Sequence, residues 1–121
     1  MKEQRTNKNV IQDKAYDFAL SIIELYKKMK LQNEYILSKQ LIRSGTSIGA
    51  NVQEAVAAQS RKDFISKMSI ASKEARETNY WLRLLRDSKL CSDIDMSHLI
   101  KESQEIIAIL TSIVKTSQKN N

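Results

Sequence analysis

Apolar residues recur every three or four positions along most of the chain, the spacing that places side chains on one face of an α-helix. Short polar stretches interrupt this periodicity at three points along the chain. The pattern predicts an all-α protein with helices at about residues 9–31, 35–58, 61–88 and 95–116 and frayed polar tails at 1–8 and 117–121. We expect residues 1–121 to form a single domain.

Each predicted helix carries one apolar stripe suited to a shared core. The stripes are Ile11, Ala15, Phe18, Ile22, Leu25 and Met29; Leu37, Leu41, Ser44, Ile48, Val52 and Ala55; Phe64, Met68, Ala71, Ala75, Thr78, Leu82 and Leu85; and Met96, Leu99, Ser103, Ile106, Leu110 and Ile113. In the third helix the steps alternate between four and three, which is typical of helices packed at shallow angles. Because the linkers are short, we expect an antiparallel up-down-up-down four-helix bundle.

Composition narrows the classes of function. The 121 residues contain no proline and two glycines, too few of both for turn-rich β proteins, Rossmann domains or phosphate-binding loops. A single cysteine, Cys91, excludes an internal disulfide and a multi-thiolate zinc site, and a single histidine, His98, cannot supply the paired Glu-x-x-His motifs of a di-iron bundle. We therefore expect a protein that is not an enzyme, with no catalytic residues, cofactor or metal.

Two features of the sequence bear on location. The longest uncharged apolar stretch, Ile106–Val114, is less than half of the ~20 residues that a membrane helix needs. The N-terminal segment is charged and lacks the apolar region of a secretory signal. We expect a cytoplasmic protein without a membrane partner.

Both glycines, Gly45 and Gly49, lie inside the second predicted helix, where each costs about 1 kcal/mol relative to alanine. Their spacing of four residues indicates that the backbone of a neighbouring helix approaches closely. A phosphate-binding role would instead require a glycine-rich loop leading into a helix N-terminus. We favour the close approach.

A polar stripe lies beside the apolar face of the same helix. It consists of Arg43, Ser47, Asn51 and Glu54, which share one helical face. One interpretation is a solvated edge with local hydrogen bonds. The other is a partly buried polar network that fixes the register between helices or between subunits. Spacing alone leaves both open.

The run RSGTSIGANVQE from Arg43 to Glu54, followed by EARETNYWL from Glu74 to Leu82, resembles a bacterial four-helix-bundle family. Its members are encoded in intervening sequences of 23S rRNA genes. The similarity spans roughly residues 18–110, although many members have proline in place of Gly49 and glycine in place of Ala55. The resemblance implies a left-handed antiparallel bundle and a homopentamer, but no settled molecular activity.

The family is also similar to the accessory protein of diversity-generating retroelements. That protein is a pentameric, basic barrel that binds nucleic acid and a reverse transcriptase. The resemblance therefore implies a homo-oligomer that has RNA or DNA as a partner.

A second set of apolar residues lies away from the predicted core stripes. It comprises Tyr16, Leu20 and Ile23 in the first helix and Ile70, Trp81 and Leu84 in the third. A monomeric bundle needs only one apolar stripe per helix, so two outer stripes indicate a surface for self-association. We predict that these six residues form the interface of a homo-oligomer.

The positive charge is concentrated in the third helix. Residues 60–90 hold eight Lys or Arg against four acidic residues, within a chain of net charge +6. One side of this helix carries the candidate nucleic-acid-binding residues Arg61, Lys62, Lys73, Arg76, Arg83 and Arg86. A basic stripe of this kind suits phosphate contacts, although a solvated face with intrahelical ion pairs has the same composition.

These patterns predict a non-enzymatic oligomeric scaffold or adaptor that binds RNA or DNA electrostatically through the basic face of the third helix. The alternative is a protein–protein interaction module that uses the same surface for an acidic protein partner, without nucleic acid.

Overall fold

The computed structural model of the protein describes residues 7–119, with side chains from Asn9 onward, and this part of the chain contains four α-helices and no β-strand. The helices are α1 (Asn7–Leu31), α2 (Ile36–Val56), α3 (Arg61–Ser88) and α4 (Ser97–Lys119). Part of each predicted frayed tail is helical, because α1 begins at Asn7 and α4 continues to Lys119. The rest of the predicted tails, 1–6 and 120–121, lies outside the described residues.

Each helix packs against two others. α1 and α3 both contact α2 and α4, whereas no close backbone contact joins α1 to α3 or α2 to α4 within residues 7–119. The four helices thus surround one core, with α1 and α3 on opposite sides of it. None of the helices in this range is long and apolar enough to cross a membrane.

The predicted apolar stripes form most of the core, which also includes Cys91 and Ile100. All of their residues are buried except Leu37, Phe64 and Leu99, which are half-buried and pack against the cluster. Helical periodicity therefore identified the side of each helix that faces its neighbours. The reason is that a residue every three to four positions returns to the same side of the helix axis.

Polar side chains fix the starts of three helices. The Ser60 hydroxyl accepts a hydrogen bond from the Asp63 amide at 3.0 Å and caps α3. The Glu34 carboxylate accepts from the amides of Leu37 at 3.1 Å and Ser38 at 2.8 Å at the start of α2. At the start of α4, the Asp95 carboxylate accepts from the Ser97 amide and hydroxyl, which lowers the pKa of Asp95. Carboxylates at helix N-termini also interact favourably with the helix dipole.

Two buried polar contacts tie neighbouring helices together. The hydroxyls of Ser44 in α2 and Thr78 in α3 lie 2.9 Å apart. The Asn79 amide nitrogen of α3 donates to the Ser103 hydroxyl of α4 at 2.9 Å. Because buried polar groups are costly unless they are paired, these contacts specify which residues face each other across the core.

Candidate nucleic-acid interface

All six of the predicted nucleic-acid-binding side chains are exposed on α3, but their electrostatic surroundings differ. Arg86 lies 2.7 Å from the carboxylate of Asp87. This ion pair raises the pKa of Arg86 and lowers the pKa of Asp87. The charge of Arg86 is therefore compensated within the protein, and this residue contributes little to a free basic surface.

Three cations in the middle of α3, which we call the central basic group, are Lys73, Arg76 and Arg83. The Arg76 guanidinium donates to the Thr111 hydroxyl at 3.2 Å, and Arg83 donates to the Asn79 side-chain oxygen at 2.8 Å. Both acceptors are neutral, so they orient the guanidinium groups without compensating their charge. Lys73 has no ion pair within the described residues. After the ion pair with Arg86, the charge of Arg83 also contributes to the lowered pKa of Asp87, so Arg83 is partly compensated. Within the described residues, the central basic group therefore presents Lys73 and Arg76 as cations without an ion pair and Arg83 as a partly compensated one.

Arg61 and Lys62 are separate from that group. They lie in the first turn of α3, and the 11 residues from Lys62 to Lys73 correspond to about 16 Å of helix. Arg61 borders an open cleft of about 370 Å³ where the α2–α3 connection meets Ser117 of α4. The six predicted residues thus do not form one compact site. They divide into a central group, a compensated Arg86 and an N-terminal pair.

An aromatic side chain that is not among the predicted site residues accompanies the central basic group. Tyr80 is 47% exposed and follows Lys73 by seven residues and Arg76 by four, so it lies on the same face of α3. The guanidinium carbon of Arg83 is 6.0 Å from the centre of the Tyr80 ring. The sequence does contain a signal for this position, because Tyr80 follows Lys73 by seven residues and Arg76 by four.

The polar stripe of α2 consists of three separate sets of contacts within one chain. Arg43 contacts Glu74 of α3 at 3.3 Å and also pairs with Glu77. Glu77 in turn accepts a hydrogen bond from the Trp81 indole at 3.0 Å. Arg43 therefore supports the interpretation of a network between helices, at an exposed edge of the α2–α3 contact.

The other members of the polar stripe behave differently. The Asn51 side chain donates to the Ser47 carbonyl at 2.9 Å, a contact that stays inside α2. Glu54 forms a 3.0 Å ion pair with Lys67 of α3, which raises the pKa of Lys67. The stripe therefore combines both interpretations, a local hydrogen bond in its middle and links to α3 at its two ends.

The predicted oligomer-interface residues are partly exposed. Tyr16 and Leu20 on α1 are 66% and 49% exposed, and Ile70 and Leu84 on α3 are also exposed. Ile23 is half-buried. Trp81 differs from the expected outward-facing side chain, since it is half-buried against the core and its indole nitrogen is held by Glu77.

Cys91 and His98 have different surroundings. Burial, together with the nearby negative charges of Glu34 and Asp93, raises the pKa of Cys91, so its thiol stays protonated at neutral pH. His98 is largely exposed, and its ring nitrogen lies 2.7 Å from Glu102. Among residues 7–119, no three His, Cys, Asp or Glu side chains cluster in a way that could hold a metal ion.

Comparison with known proteins identifies the family. The model of the family described as 23S rRNA-intervening sequence protein matches residues 7–112. A crystal structure of a protein of unknown function from the S23 ribosomal protein family of Bacteroides thetaiotaomicron is 47% identical, with a TM-score of 0.85, and the match covers 91% of this chain and 99% of that chain. No curated protein matches the sequence. The chain belongs to the 23S rRNA-intervening sequence protein family.

Proposed function

We propose that the protein is a non-enzymatic scaffold or adaptor that holds RNA or DNA electrostatically through α3. The observation that carries this proposal is the central basic group of Lys73, Arg76 and Arg83, which are all exposed and of which only Arg83 is partly compensated, by Asp87, within the described residues. Cations in this state attract phosphates, and their binding releases the counterions condensed on a nucleic acid.

We infer that consecutive helices run in opposite directions, as an up-down-up-down bundle. Residue pairs across the helix contacts support this. Gln12 of α1 hydrogen-bonds to Gln53 of α2, whereas Ile22 lies against Gly45. Between α2 and α3, Glu54 pairs with Lys67 and Arg43 with Glu74. In both helix pairs, a later position on one helix meets an earlier position on the other.

We further infer that the chain assembles into a homo-oligomer, which the resemblance of its motifs indicates to be a homopentamer. The exposed apolar residues of α1 and α3 support self-association. An oligomer would repeat the central basic group once per subunit and would strengthen attraction to a polyanion. Such a complex with RNA or DNA would act in the cytoplasm.

Binding of short fluorescent RNA and DNA at low salt tests the nucleic-acid role. We expect the observed association constant to fall steeply as salt rises. Removing one phosphate-contacting cation, by Lys73→Gln or Arg76→Gln, should weaken binding and reduce the slope of log K against log salt by about 1. The matched control is Lys28→Gln on α1, which removes the same charge from a helix that does not contact α3.

Two results would count against this function. One is no retention of RNA or DNA at low salt. The other is equal weakening by the control and the α3 variants, which would reduce the effect to net charge. If an acidic polypeptide such as polyglutamate binds where both nucleic acids fail, the alternative of an acidic protein partner replaces the proposal.

A further inference from the structure

We propose that Tyr80 forms, with Arg83, a stacking platform for an unpaired nucleobase, so that α3 prefers single-stranded nucleic acid over a duplex. This inference rests on the proposed nucleic-acid role of the central basic group and specifies the class of nucleic acid. It differs from the sequence-based expectation of purely electrostatic binding, because it adds a contact that only an exposed base can make.

The first support is the position of the Tyr80 ring. It is 47% exposed, and four residues separate it from Arg76 on the same helical face. The ring therefore lies among the cations of the central basic group, where an exposed aromatic face can contact a base beside the phosphates. Strands bound without sequence preference are typically held by this combination of basic side chains along the backbone and aromatic rings under the bases.

The second support is that the platform is held in place from the protein interior. The Arg83 guanidinium donates to the Asn79 side-chain oxygen at 2.8 Å, and Asn79 is only 8% exposed. Asn79 donates in turn to the Ser103 hydroxyl of α4, which donates to the Ile100 carbonyl at 2.7 Å. Because Asn79 is fixed by this chain of hydrogen bonds, Arg83 loses little conformational freedom when a ligand binds.

The third support is the arrangement of Arg83 and Tyr80 themselves. The guanidinium carbon lies 6.0 Å from the Tyr80 ring centre, within the range of a cation–π contact. The centres of the Tyr80 and Trp81 rings are 5.3 Å apart, and the two ring planes are inclined at 64°. A planar guanidinium and an aromatic ring both stack on bases, so a base can stack on either member of the pair.

The site is long enough to follow a short single strand. From Lys73 to Arg83, α3 rises about 15 Å, which spans a few nucleotides. The phosphates would contact Lys73 and Arg76, while one base would stack on Tyr80. In a duplex the faces of the bases are covered by their neighbours, so Tyr80 has no base face to contact there. Stacking also predicts tolerance of base identity, because every base has an aromatic face.

The test compares the intact protein with Tyr80→Leu and Tyr80→Phe in fluorescence-anisotropy titrations. The probes are a mixed-sequence RNA and a DNA of about 12 nucleotides, within the known site sizes of single-strand-binding domains, and the duplex form of each. Leucine keeps the apolar volume but has no aromatic plane. We expect Tyr80→Leu to weaken single-strand binding by about 5- to 100-fold while leaving duplex binding within about twofold, and Tyr80→Phe to retain single-strand binding.

The outcomes separate this inference from the function on which it rests. If the unmodified protein binds single strands and duplexes equally, or if Tyr80→Leu weakens both forms to the same extent, stacking is contradicted while electrostatic binding survives. If no probe binds at low salt, both proposals fail. Comparison of the RNA and DNA arms shows which of the two strands the platform holds more tightly.

Discussion

At the residue scale, the two glycines of α2 have different roles although they are four residues apart. A Cβ atom added at Gly45 would lie 2.9 Å from both γ carbons of Ile22, closer than real Cβ atoms approach. Ile22 is fully buried and branched at Cβ, so its side chain cannot turn away. A Cβ atom at Gly49 would lie 3.6 Å from Ala15, an ordinary contact. Only Gly45 is therefore required by close packing.

We predict that Gly45→Ala destabilises the protein whereas Gly49→Ala stabilises it. Overpacking typically costs about 1–3 kcal/mol, and the helix propensity of alanine recovers about 1 kcal/mol of that, so the free energy of unfolding of Gly45→Ala should fall by up to about 2 kcal/mol. Gly49→Ala gains propensity without a clash, and its free energy of unfolding should rise by about 0.5–1 kcal/mol. Urea unfolding monitored by circular dichroism measures both.

The two variants are matched controls for each other, since each adds one methyl group to the same helix. A destabilised Gly49→Ala, or a Gly45→Ala that is as stable as Gly49→Ala, would contradict the assignment of the tight contact to Gly45. Spacing in the sequence predicted that the backbone of a neighbouring helix approaches both glycines closely; backbone atoms of Ala15 lie near Gly49 at ordinary contact distance, whereas the tight contact at Gly45 is with the Ile22 side chain. That distinction depends on whether Ile22 or Ala15 faces the glycine, which is a property of the partner helix.

At the element scale, Arg43 links α2 to α3 by contacting two carboxylates one turn apart. Glu74 and Glu77 would repel each other without a shared cation, because they are three residues apart on one helix. The Arg43 side chain is 51% exposed and the Glu74 side chain is 19% exposed, so the carboxylate is the partner that is shielded from water. The contribution of this ion pair to the free energy of unfolding should therefore lie at the upper end of the range for exposed ion pairs.

We predict that Arg43→Ala lowers the free energy of unfolding by about 1 kcal/mol, because it removes the cation shared by two acids. The decrease should shrink at high salt, since screening weakens both the lost attraction and the remaining repulsion. The control is Lys27→Ala, which breaks the Glu24–Lys27 pair, 65% exposed on both sides. This control should cost about 0.3 kcal/mol. Equal losses in the two variants would show that Arg43 is an ordinary surface charge.

The same scale shows where prediction from the sequence succeeds and where it ends. The spacing of the apolar residues predicted the helices and their buried faces. This works because the repeat of apolar positions within a single helix determines which face of that helix is buried. The Ser60 cap of α3 is likewise a local feature, because the hydroxyl and the Asp63 amide are three residues apart in the chain. The Glu34 carboxylate caps α2 over a similarly short separation, from just outside the helix. The α3 partners of Arg43 depend on register, which periodicity does not specify.

At the scale of the whole molecule, the exposed members of the predicted oligomer interface lie on two helices on opposite sides of the core. Tyr16 and Leu20 belong to α1, and Ile70 and Leu84 belong to α3. α1 and α3 lie on opposite sides of the core and do not contact each other within the described residues. A face on one side that meets an unlike face on the next subunit produces a head-to-tail contact. Such a contact closes into a ring when the rotation between subunits permits it.

This geometry predicts that one charged substitution on either face lowers the oligomeric mass. Leu20→Glu on α1 and Leu84→Glu on α3 each place a carboxylate in an apolar contact, where burying an unpaired charge costs several kcal/mol. Native mass spectrometry should show smaller species for both variants, and Gln104→Glu on the exposed face of α4 should leave the mass unchanged.

Because a head-to-tail contact needs one intact face from each partner, mixing the two variants should restore dimers. These dimers would form through the unmodified Leu84 face of the first variant and the unmodified Leu20 face of the second. A symmetric contact of α1 with α1 would leave Leu84→Glu at full mass and would contradict the head-to-tail arrangement.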